Sequence, residues 1–177
     1  MEFRRKQLLV VAQSVAAALV VAIVGCHATS LCAASVPAAD DIATRLALAA
    51  RWLLAPGCTL LAGVQVAAGR GFSPDAIDGT PTPKSHLLEI TLRYNRNTVE
   101  QVLLAAIAWL GLAQAVPHAT LALIPAMACL FVAGRLLFWI GYLAFPVARA
   151  FGMVLTALPT IAAYVWLVAH WLGMPAG

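Results

Sequence analysis

Arg93, Asn97 and Glu100 fall on one apolar stretch of the chain, and Tyr142 and Arg149 on another. A charged side chain at the centre of a bilayer costs about 2.5–3.5 kcal/mol on insertion scales, so such residues persist where they are paired or used. At roughly 100° per residue, positions i, i+4 and i+7 share a helix face, which aligns Arg93, Asn97 and Glu100, with Glu89 one turn earlier. Arg135 and Tyr142 share a face in the same way, with Phe138 beside them. A guanidinium donates two parallel hydrogen bonds to a carboxylate, and Glu100 could receive an ammonium group, so the set suits an anionic, peptide-like ligand. The alternative is a register-fixing network, with Arg93 paired to Glu89 or Glu100 and Asn97 bonded across helices.

The elements that must position these residues follow from composition. The chain has 177 residues, 63% hydrophobic and 10% charged, with a mean hydropathy of +0.91. This excludes a soluble domain and indicates a polytopic membrane protein, with room for four to six helices of about 20 residues. A first apolar run over 8–25 follows Arg4-Arg5-Lys6. It reads as a retained span, although its flanks and the sequence Ile23-Val24-Gly25-Cys26 also fit a cleaved signal segment. Helices are expected over 42–68, with a kink at Pro56, and over 86–114, 119–143 and 146–172. Residues 72–85, rich in Pro, Gly and Asp, read as a loop. Asp75 and Asp78 there are turn residues in the first instance and metal ligands in the second.

Lys and Arg are retained on the cytoplasmic side. Arg4, Arg5, Lys6, Arg70, Lys84, Arg93, Arg96 and Arg149 fall on one side of such a topology, against Arg45 and Arg51 on the other. The N-terminus is therefore expected in the cytoplasm and the C-terminus in the periplasm, and the net charge of +4 needs no nucleic acid. Cys58 and Cys129 read as small helix hydrophobes. Cys26 and Cys32, at the outer end of the first segment, could form a disulfide, or with His27 a metal site.

The segments RYNRNTVE (93–100) and RLLFWIGYLAFPVARAFG (135–152) carry a family resemblance. An R-x-x-x-N-x-x-E helix, then an R-x-x-x-x-x-x-Y helix and an arginine seven residues after that tyrosine, resembles the MAPEG family, the membrane-associated proteins in eicosanoid and glutathione metabolism. The resemblance covers roughly residues 45–172, and the loop FSPDAIDG looks like that of bacterial members. It implies an all-α membrane protein: a four-helix transmembrane bundle over 42–177, with residues 1–41 as an additional N-terminal span and periplasmic loop.

It further implies a homotrimer in a bacterial inner membrane, binding glutathione as substrate between protomers, with no metal. Carried over by position, Arg70, Arg93, Asn97, Glu100 and Tyr142 would contact glutathione, and Arg149 would stabilise its thiolate. A free thiol, with pKa about 8.5, is mostly protonated at neutral pH, so a neighbouring cation promotes the nucleophile. The implied activity is conjugation of glutathione to a lipophilic electrophile or reduction of a lipid hydroperoxide. The chain departs from the enzymes at Gly69-Arg70, where an arginine pair is usual, and at Gln101 and Phe138, where tyrosines occur. These departures point to the alternative, a non-catalytic lipid- or ligand-binding protein on the same scaffold.

Overall fold

The computed structural model describes residues 2–72, 77–78, 85–145 and 147–173, and among these the chain forms helices and short turns without a strand. Five long helices follow one another: α1 (Glu2–Cys32), α2 (Ile42–Ala68), α3 (His86–Ala115), α4 (Leu123–Ala144) and α5 (Arg149–Trp171). Each is long and apolar enough to cross a bilayer. The protein is therefore an all-α, multi-pass membrane protein with one helix beyond a four-helix bundle.

Local chemistry sets the helix limits. Asp41 caps α2, its Oδ1 accepting from the Thr44 N–H at 3.0 Å, and the Ser85 hydroxyl caps α3 by accepting from Leu88 N–H. The first helix is longer than its apolar run because polar flanking residues are satisfied internally. Lys6 pairs with Glu2 at 2.5 Å, and His27 and Ser30 bond to carbonyls one turn back. At the other ends the expected bounds shift. Residues 118–122 coil as a tight 3-10 turn, so α4 opens at Leu123 and not at 119, and α5 runs from Arg149. α2 runs helical through the buried Pro56.

Cys26 and Cys32 both lie on α1 as free thiols. Six residues apart on a helix they are about 9 Å apart along its axis, beyond the reach of a disulfide, which corrects that expectation. His27 turns its ring onto Ile23 O, and the described residues hold no cluster of metal-binding side chains. Asp75 and Lys84 lie outside the described residues; Asp78 sits in a turn.

Lipid offers no hydrophobic drive between helices, so close backbone approach and interhelical hydrogen bonds hold the bundle. A Cβ at Gly152 on α5 would lie 2.3 Å from Phe138 N and 2.4 Å from Gly134 O, so α4 and α5 touch backbone to backbone there. Between α2 and α3, the buried Tyr94 donates its hydroxyl to Thr59 O at 3.1 Å. Trp109, Phe131 and Leu112 lead the central core, and Ala17 seats α1 against Leu130 and Leu155 on α4 and α5.

At the end of the bundle where α1 and α3 finish, Arg45 donates to the terminal carbonyls of α3 at Gln114 and Val116 and pairs with Asp40, to which His118 also bonds. Arg45 is thus a helix cap as well as a topological charge. The opposite end gathers the starts of α1, α3 and α5 with the ends of α2 and α4, and with them Arg93, Tyr142 and Arg149.

Candidate functional site

A cleft of about 680 Å³ opens at that second end, lined by Arg93 and Asn97 from α3, Phe138 and Tyr142 from α4, Arg149 and Met153 from α5, and Val10 and Ser14 from α1. The spacing seen in the sequence delivers the first of these: residue 97 follows 93 by one turn, and 142 follows 138 by one turn. The short connection 145–148 then folds α5 back so that Arg149, its first residue, stands above Tyr142. The Arg149 guanidinium lies 4.6 Å from the centre of the Tyr142 ring. Arg93 is held at the rim by Glu89, at 2.6 Å, and its other amino group donates to the Tyr142 hydroxyl at 3.4 Å. That hydroxyl accepts from Arg93, and among the described residues none accepts its own hydrogen.

Beneath the rim lies a residue whose role spacing alone does not fix. Arg135 is fully buried, one of the largest side chains so enclosed. Its Nη1 donates to Asn97 Oδ1 at 2.7 Å, its Nε to Thr156 at 3.2 Å, and its Nη2 points at the Met153 sulfur at 3.7 Å. Its guanidinium stacks 4.5 Å from the Phe138 ring centre, a cation–π contact favoured in a desolvated site. Arg135 therefore ties α3, α4 and α5 together, and it occupies the Asn97 carbonyl.

Phe138 belongs to an aromatic group with Tyr94, Trp139 and Tyr142. The network that the sequence reading held as the alternative is seen in the Arg93–Glu89 pair and in the Asn97 bond across helices to Arg135, and a cleft opens above it.

Two residues expected at the site lie elsewhere in the single chain. Glu100 is exposed on the outer face of α3, and Arg70 is half-buried in the turn 69–72 after α2; neither lines the cleft. The helical wheel places Glu100 only about 20° from Arg93, but it stands two turns deeper, where no helix of the same chain covers it. Conversely, Val10, Ser14, Thr156 and Met153 belong to the site or its floor and were not singled out by sequence.

The chemistry of these groups suits an anion. Arg149 and Arg93 supply positive charge, the Tyr142 hydroxyl a donor, and the start of α5 the positive end of a 23-residue helix. The family model for MAPEG matches residues 15–169. The chain belongs to the MAPEG family. The match begins inside α1 and ends two residues short of the end of α5, so the MAPEG assignment takes in the cleft residues of α3, α4 and α5, while Val10 and Ser14 of α1 precede it. No curated protein and no solved structure gives a significant match.

A second cleft, of about 530 Å³, lies further along α1 towards the opposite end of this MAPEG bundle. Its walls are almost wholly apolar, among them Val24, Met127 and Trp166. It can hold hydrocarbon and carries no charged side chain.

Proposed function

We propose that this MAPEG protein binds glutathione in the Arg93–Tyr142–Arg149 cleft and adds its thiolate to a lipophilic electrophile, or uses it to reduce a lipid hydroperoxide. The observation that carries the reading is the pairing of Arg149 with Tyr142 at the start of α5, in a cleft that also holds Arg93. In this reading Arg93 takes a carboxylate of the tripeptide. Arg149 and the Tyr142 hydroxyl face the sulfur, where a cation and a donor favour thiolate over thiol. The sulfur lone pair then forms a bond to the electrophilic carbon, and the leaving group departs with the electrons of its bond. Both reactants concentrate at one membrane interface, so proximity contributes to the rate.

Glu100 supports a homotrimer. A carboxylate exposed at the middle of a 30-residue membrane-crossing helix, among the exposed Val99, Leu103 and Leu104, is costly against lipid and calls for a covering partner. A neighbouring protomer would cover it and would bring Glu100 and Arg70 to the ligand. The charge asymmetry favours a cytoplasmic N-terminus and a periplasmic C-terminus, so the cleft would face the cytoplasm, and the likeness of the loop FSPDAIDG to bacterial members favours a bacterial inner membrane.

The second reading is a non-catalytic binding protein on this scaffold. It is favoured by Phe138, whose ring is committed to Arg135 and carries no hydroxyl. The two separate in one assay of purified protein with glutathione and 1-chloro-2,4-dinitrobenzene. Conjugation that falls by a factor on the order of 10²–10³ in Arg149→Ala supports the enzyme. Glutathione binding without conjugation in the wild type supports the binding protein.

A further inference from the structure

The helix α1 is not merely an anchor. Between Leu8 and Gly25 its only polar residues are Gln13 and Ser14. In an otherwise uniform apolar helix these are the two positions with least reason to be polar, unless they face something other than lipid. Both turn inward, half-buried, while their neighbours Ala12, Val15 and Ala16 are exposed. Gln13 Oε1 accepts from the Phe151 N–H at 3.4 Å, one of the backbone donors that the first turn of α5 cannot satisfy itself. Ser14 lines the same cleft as Arg149; its hydroxyl hydrogen is given to Val10 O at 2.9 Å, leaving its oxygen lone pairs as acceptors.

From this we infer that α1 is a wall of the ligand site. Ser14 contacts the bound molecule and limits its size on that side, and Gln13 locks α1 to the start of α5. The ligand it fits has an anionic group for the arginines and an N–H or ammonium within reach of Ser14. This deepens the glutathione reading and rests on it for the identity of the ligand, since a peptide N–H or the α-ammonium of glutathione meets that requirement. The placement of α1 against the cleft does not rest on it.

The test uses the full-length protein in detergent with S-hexylglutathione as the probe, measured by calorimetry. Ser14→Trp fills the cleft and is expected to weaken binding about tenfold or more, as overpacking at a fitted surface does. Val15→Trp, with the same bulk on the lipid-facing side, is expected to bind as wild type. Equal binding by Ser14→Trp and wild type overturns the inference and leaves the glutathione reading standing.

A second arm needs no glutathione. In a chain whose four native cysteines are replaced by alanine, Ser14→Cys is expected to react with an anionic, water-soluble thiosulfonate about tenfold faster than Val15→Cys, and to lose that advantage with Arg149→Ala. Equal rates for the two cysteines place α1 away from the cleft and overturn the inference. Should wild type fail to bind the probe, the glutathione reading falls, and these rates alone decide the placement of α1.

Discussion

Arg149, Arg93 and Tyr142 meet at distances that make the Tyr142 hydroxyl an acceptor towards one arginine while its ring lies under the other. The sequence spacing made part of this meeting legible: Arg93 and Asn97 stand one turn apart on α3, and only four residues separate the end of α4 from Arg149 at the start of α5. The Arg135–Asn97 tie was less legible: a wheel shows which residues share a face, and only the packing shows which neighbour that face meets. Arg135 has neutral partners in Asn97 and Thr156, so removing one leaves a buried donor unsatisfied. Asn97→Leu is expected to lower stability by about 1–3 kcal/mol, read as thermal unfolding in detergent. Asn97→Asp, which keeps the acceptor and adds a countercharge, is expected to restore most of it; equal losses in both would contradict the tie.

Among the elements, α4 and α5 carry the cleft, and their separation is set where Gly134 and Gly152 face each other. A methyl group at residue 152 meets backbone atoms that have no freedom to turn aside. Gly152→Ala is therefore expected to cost about 1–3 kcal/mol in stability and to misplace Phe138 relative to Arg149, lowering ligand affinity in the same titration. Gly25, with open space around it, is expected to accept alanine without loss.

At the start of α2, hydrogen bonds from the Thr44 side chain and N–H hold the Asp41 carboxyl below the usual carboxylate range. The folded value lies below the unfolded one, so the cap stabilises above the unfolded pKa and this is lost as pH falls through the folded value. Hydrogen exchange of the first turn of α2 is expected to be faster in Asp41→Ala than in wild type at neutral pH, with the difference closing in acid. Five helices and their order were readable from hydropathy alone. The inward face of α1 was not, because a helix apolar all round shows no stripe; its one signal was the isolated pair Gln13 and Ser14.

At the scale of the whole molecule, the single chain leaves Glu100 exposed midway along α3 and Arg70 away from the cleft, although the family resemblance groups them with Arg93 and Asn97. In the proposed trimer a neighbouring copy supplies the missing wall, which no helical wheel could show. Native mass spectrometry is expected to give three chains, and Glu100→Ala to weaken glutathione binding by about 1.5–3 kcal/mol, as loss of a charged hydrogen-bond partner does. A monomer that binds normally without Glu100 would remove the shared-site part of the proposal.

The most direct test of the central claim, that Arg149 and Tyr142 hold a thiolate, is ultraviolet difference absorption of glutathione mixed with stoichiometric protein at neutral pH. A thiolate band in wild type that disappears in Arg149→Ala, while the tripeptide still binds, is the expected result. Bound glutathione with no thiolate band in the wild type, or a band unchanged in Arg149→Ala, would contradict it.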